Sequence, residues 1–137
     1  MGKDNLNKVW CDKIIMTWKG VIIKESLNKL LKVKMNIRKT KETYLETQKE
    51  RGIMHFLYVE INDTEKKKFI DEAKNSLKEG CWYIHICKGK EMIVIFKDKD
   101  FRIMNSDDVN KARDYGLSKG IKKEQLTFEN LMRDPWS

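Results

Sequence analysis

Proline is almost missing from this chain, with one residue in 137. No Gly/Ser-rich stretch, low-complexity run or internal repeat is present either, so nothing in the sequence marks a linker. A chain of this length without a linker reads as a single domain spanning 1–137. Cysteine is scarce too, at three residues, which is too few for a disulfide framework. Cys81 and Cys87 stand six positions apart in one predicted strand, about 20 Å at strand rise, and so cannot bond to each other. The first thirteen residues carry Lys3, Asp4, Lys8, Asp12 and Lys13 around no apolar centre, unlike a secretory signal. Reduced thiols and a cytoplasmic location are therefore expected. No run approaches the roughly 18 uninterrupted apolar residues of a membrane span, so no membrane partner is expected. Neither G-x-G-x-x-G nor G-x-x-x-x-G-K-[ST] occurs, which removes the common nucleotide fingerprints. Histidine is limited to His55 and His85. Their spacing from the cysteines fits no zinc finger or ribbon, so neither metal nor cofactor is expected.

What is present is an apolar and highly charged chain, 40% and 36% respectively. That balance describes a globular protein with a charged surface, long enough to bury a core without staples. Its densest apolar stretch is 80–104, GCWYIHICKGKEMIVIFKDKDFRIM. Residues 81–87 are aromatic and β-branched, which suits a strand. Alternation puts Cys81, Tyr83, His85 and Cys87 on one face, and Trp82, Ile84 and Ile86 on the other. Gly89 offers the positive φ that a hairpin needs. Residues 92–96 are apolar without a break, the mark of a central strand covered on both faces. A charged turn at 97–100 leads into a shorter strand at 101–104. Links this short make the three strands antiparallel.

Upstream, 14–24 reads as a first strand, with Gly20 marking a bulge or a close backbone approach. Ser26 is positioned to cap a short helical turn, SLNKLL. Val33, Met35 and Ile37 alternate with Lys34, Asn36 and Arg38, a half-buried strand with a basic outer face. Polar residues 40–50 predict a loop or flap, and 52–61 another strand. Asn62 and Glu65 form a capping-box pattern before a helix that ends at Gly80. Its stripe is Phe69, Ile70, Ala73 and Leu77. A second helix runs from Ser106 to Gly120, with Val109, Ala112 and Leu117 inward. A last turn from Thr127 carries Phe128, Leu131 and Met132, and Pro135 ends it.

The resulting fold class is α+β: a mostly antiparallel sheet of five to six strands with two main helices. The β-α-β-β-α-β order is ferredoxin-like, followed by a C-terminal β-meander and helix. Helices are expected on one sheet face. Three strands look apolar on both faces, so the second face needs a cover. A symmetric homodimer supplies one. The alternative is that Phe128, Leu131, Met132 and Trp136 fold back over it.

Three functional readings follow. The first is a non-catalytic binding or interaction module whose candidate ligand residues are His55, Tyr83 and His85, provided both histidines share a sheet face. The second is weak nucleic-acid binding. Net charge is +8, and 29–41 holds six basic residues and no acid. Lys32, Lys34, Arg38, Lys39 and Lys41 would then track a phosphate backbone, although lysines also protect an edge strand from pairing. Residues 51–58, RGIMHFLY, also resemble the RNP1 pattern of the RNA-recognition motif family at Arg51, Gly52 and Tyr58. They depart from it at Ile53, Met54 and His55, where base-stacking aromatics and a small residue belong. The third reading is a small enzyme with a histidine in a sheet-face pocket, with no catalytic residue assigned.

Overall fold

A computed structural model of the chain describes residues 17–44 and 52–136. The expectations placed on 1–16, Cys11 among them, and on 45–51, including Arg51, lie outside the described residues. Six strands form one sheet: β1 Thr17–Ile23, β2 Asn36–Tyr44, β3 Ile53–Asn62, β4 Ile84–Lys88, β5 Glu91–Ile95 and β6 Asp100–Ile103. Their spatial order is β2-β3-β1-β4-β5-β6, and every pairing is antiparallel. Three α-helices accompany them: α1 Lys66–Ser76, α2 Ser106–Ser118 and α3 Phe128–Arg133. The fold is α+β. No described helix is long and apolar enough to cross a membrane.

The sheet is apolar on both faces, and helices cover both, not one. Against the first face, Phe69 and Ala73 of α1 and Leu77 just after it pack onto Trp18, Ile22, Val59, Ile61, Ile84, Ile86, Ile93 and Ile95. Against the second, α2 and α3 bring Val109, Ala112, Phe128 and Leu131 onto Cys87, Met92, Val94 and Phe96. Consecutive residues Val94 and Ile95 thus enter different cores, as strand alternation requires. The C-terminal segment therefore folds back within one chain. The uncovered face from which a homodimer was expected is closed by Ile121, Leu126, Phe128 and Leu131.

Local chemistry explains the boundaries. Gly20 sits where β1 meets β4, and an added Cβ would lie 2.4 Å from the main-chain oxygen of His85. It marks a close approach, not a bulge. Gly89 supplies φ 59° in the β4–β5 turn. Asn105 caps α2 by accepting from the Asp108 N–H at 3.0 Å, while Asp108 accepts from the Met104 N–H at 2.9 Å, a reciprocal cap.

Several expectations are corrected. The SLNKLL helix does not form. Residues Lys24–Ser26 make a single 3₁₀ turn instead. Asn28 N–H then donates to Ser76 O at 2.7 Å and Lys78 N–H to Ser26 O at 2.8 Å, so the segment pairs with the end of α1. Glu72 of α1 accepts from the N–H groups of Lys32 and Val33, which draws Val33 into the first core. Ile37, expected inward, stands opposite Val59 on the first face but is 54% exposed, since β2 is the edge strand of the sheet. The Asn62/Glu65 cap is absent. A 3₁₀ turn Asp63–Glu65 precedes α1, and Asp63 instead accepts from Trp18 Nε1 at 2.7 Å and Lys88 Nζ at 2.9 Å. These two bonds, Trp18 first, hold the Asp63 carboxyl below its ordinary range. Leu117, expected inward on α2, is 44% exposed, and Gly116 packs in its stead.

Candidate functional site

Register decides where the candidate residues go. Val21 stands opposite both Tyr58 on β3 and His85 on β4, and Ile23 stands opposite Phe56. Residues opposed across a pair share a face, so Val21, Ile23, Phe56 and His85 lie together on the second face. His55, one residue from Phe56, points to the first face. The two histidines are on opposite sides of the sheet and do not line one pocket.

His55 is held by carboxylates. Its N–H donates to Glu25 Oε1 at 2.6 Å, Nδ1 lies 2.6 Å from Glu25 Oε2, and Nε2 lies 3.3 Å from Glu42 Oε1. Burial opposes ionisation of Glu25, but the main-chain and side-chain bonds from His55 prevail and leave its pKa lowered. The cluster ties the 3₁₀ turn and β2 to β3. It is half-buried.

His85 and Tyr83 border a cavity of about 280 Å³ between the second sheet face and the C-terminal segment. Val21, Ile23, Phe56 and Leu131 supply its apolar wall, and Cys81, Trp82, Glu124, Gln125 and Thr127 complete it. The volume lies near the lower end of ordinary ligand pockets, about 300 Å³ and upward, and exceeds the roughly 150 Å³ cavity that holds one benzene.

The roof is fastened by the strand face that alternation picks out. Cys81 Sγ donates to Gly120 O at 3.3 Å, and Tyr83 Oη donates to Gln125 O. His85 Nε2 bonds Pro135 O at 2.8 Å, and Cys87 Sγ donates to Leu131 O at 3.6 Å. A carbonyl only accepts, so the His85 proton sits on Nε2. Trp136 Nε1 adds a bond to Gly20 O at 3.1 Å, with its ring edge-on to Tyr58. On the far side Arg113 holds Leu126 O and the Glu129 carboxylate. Nothing near 80–88 announces these acceptors, which lie 39 to 50 positions away.

Desolvation sets the protonation states. Burial lowers His85 to about 4, partly offset by the Pro135 carbonyl, so the ring is neutral at pH 7. Burial raises the Tyr83 phenol and pushes the Cys87 thiol up to about 12. Cys81 and Cys87 are free thiols, and Cys87 is an inert one. A pH prediction follows from His85. In the unfolded chain it titrates near 6.5, above its folded value, so the unfolded state binds more protons between about pH 6.5 and 4. Stability is full above that window, falls as pH drops through it, and loses about 3 kcal/mol in total. Urea unfolding at pH 7 and 4.5 should show His85→Gln losing about 2 kcal/mol less than the wild type over that interval. Equal losses would show that His85 is not buried neutral.

The basic residues lie at the sheet edge. Arg38, Lys39 and Lys41 are on β2, Lys32 and Lys34 precede it, and all five are exposed. Arg38 pairs with Glu60 at 3.2 Å, and Lys39 lies over the Tyr58 ring at 5.4 Å.

No family model matches this chain, and neither a curated protein nor a solved structure matches it. The site is therefore read from its own geometry.

Proposed function

We propose that the protein is a non-catalytic binding module that holds a small, mostly apolar molecule between the second sheet face and the C-terminal segment. The observation that carries this reading is the cavity itself: about 280 Å³, walled by aliphatic and aromatic side chains with a few polar groups. That is the composition of small-molecule sites. A binder is favoured over an enzyme because the cavity's histidine bonds a main-chain carbonyl rather than a carboxylate, and so lacks the partner that would prime a general base.

Further readings accompany it. The basic residues of β2 and its lead-in serve as edge protection: the strand ends the sheet order, is bulged at Ile37/Lys39 and is studded with Lys and Arg, all devices against edge pairing. Weak, salt-dependent nucleic-acid binding is the competing role for the same charges. The protein is a monomer, because its own C-terminal segment covers the face a homodimer would bury. The free thiols fit a reducing cytoplasm. As for fold kinship, the antiparallel order β2-β3-β1-β4 supports a ferredoxin-like split β-α-β, with the first crossover helix reduced to a 3₁₀ turn and β5-β6 appended.

Val21→Phe tests the function. The larger ring fills empty space, so it should raise stability by about 0.5–1 kcal/mol and weaken toluene binding about tenfold or more in calorimetric titration. A wild type that fails to bind toluene, or a stabilised variant that binds it equally well, would refute the site.

A further inference from the structure

Three of the polar groups that border the cavity share one property. Cys81, Tyr83 and His85 alternate along one face, and each directs its proton to a main-chain carbonyl of the C-terminal segment: Gly120, Gln125 and Pro135 respectively. What remains of each group is lone pairs. The strongest acceptor of the three is His85 Nδ1, the bare nitrogen of a ring whose proton is fixed on Nε2. No described residue donates to it. His85 is 5% exposed and borders the cavity, so this lone pair is mostly buried yet still open to the cavity. The described lining residues include no lysine or arginine, and burial keeps the His85 ring uncharged. Nothing inside offers a counter-charge to an anion. Glu124 and Thr127 are exposed, at the mouth.

We infer that the cavity selects small neutral ligands that carry a hydrogen-bond donor, such as an aromatic alcohol, and that the lone pair on His85 Nδ1 receives the donated proton. This rests on the cavity being a binding site. A hydroxyl group meets an acceptor that otherwise has no partner. An ether of the same shape sets its own lone pairs against those of the ring. A carboxylate loses its hydration and finds no cation, which is the costlier mismatch. Discrimination by hydrogen-bond complementarity exceeds what apolar shape alone supplies, because a mismatched ligand leaves buried polar groups unpaired.

Four probes of one shape separate these possibilities: toluene, p-cresol, p-methylanisole and p-toluate, titrated calorimetrically into the full chain at pH 7. The expected result is p-cresol tighter than p-methylanisole by about tenfold, toluene between them, and p-toluate weakest. In protein labelled with ¹⁵N at histidine, p-cresol should shift the unprotonated Nδ1 resonance of His85 upfield, and p-methylanisole should leave it in place. His85→Phe, if it folds, should erase the preference and keep toluene binding; the labelled wild type decides the matter if it does not. Equal affinity for the three neutral probes, or an unmoved Nδ1 resonance on p-cresol binding, would overturn the donor assignment while leaving an apolar site. Failure of all four probes to bind would overturn the binding site itself, and the donor assignment with it.

Discussion

Val94→Asp and Ile95→Asp should each unfold most of the protein. Both positions are fully buried, yet they belong to different cores. Val94 faces Met92, Phe96 and the C-terminal segment, and Ile95 faces α1 and the first face. A carboxylate at either place enters an apolar region without a partner, and such groups are among the few that cost about 4 kcal/mol or more. That is comparable with the whole stability of an ordinary domain, about 5–15 kcal/mol. Chemical denaturation measures both. The pair is more informative than either alone. An Ile95→Asp protein that unfolds beside a Val94→Asp protein of near wild-type stability would mean that the second face is wet and the C-terminal segment does not close it.

Gly20→Val should be nearly as damaging, for a reason that has nothing to do with polarity. β1 is hydrogen-bonded on both sides, to β3 and to β4. A Cβ at position 20 would stand 2.4 Å from His85 O and 2.7 Å from Ile86 Cγ2. The first of these is main chain at the centre of the sheet and has no room to retreat. Overpacking a core costs about 1–3 kcal/mol, and a clash with sheet backbone falls at the upper end, so a loss of about 3 kcal/mol is expected for Val and somewhat less for Ala. Thermal unfolding of Gly20→Ala and Gly20→Val reads it. Wild-type stability in both would show that β1 and β4 do not approach this closely at Gly20. The same glycine's carbonyl receives Trp136 Nε1, so shifting it also loosens the end of the C-terminal segment.

Much of this architecture is legible in the sequence. The meander from β4 to β6, β3 and the helix after Asn105 announce themselves through alternation, turn residues and capping chemistry. Gly20 in an apolar run signals a close approach before any partner is known. The residues that border the cavity from below are legible too, since Cys81, Tyr83 and His85 alternate in sequence, although only His85 lies within β4. Local pattern fails wherever a distant group decides. Residues 26–31 look helical by propensity, but Ser76 and Glu72 supply hydrogen bonds from α1 to this segment and to the residues just after it. Ile37 keeps the first face opposite Val59 yet stays exposed, because the sheet order puts β2 at the edge. The side of the sheet that His55 occupies depends on pairing Ile23 with Phe56, a register no local pattern specifies. The cavity exists only because 119–135 returns to the β4 face, and that return is written in main-chain carbonyls, which carry no residue signature.

The central claim is that this returning segment encloses a space able to take a ligand. Methyl-resolved NMR with toluene as the probe tests it most directly. Val21, Ile23 and Leu131 methyl groups should shift together, saturate at one toluene per chain and show intermolecular contacts to the toluene ring, while Ile61 and Ile93 in the first core stay still. Shifts confined to the first core, or no saturable shift at Val21, Ile23 and Leu131, would contradict the account.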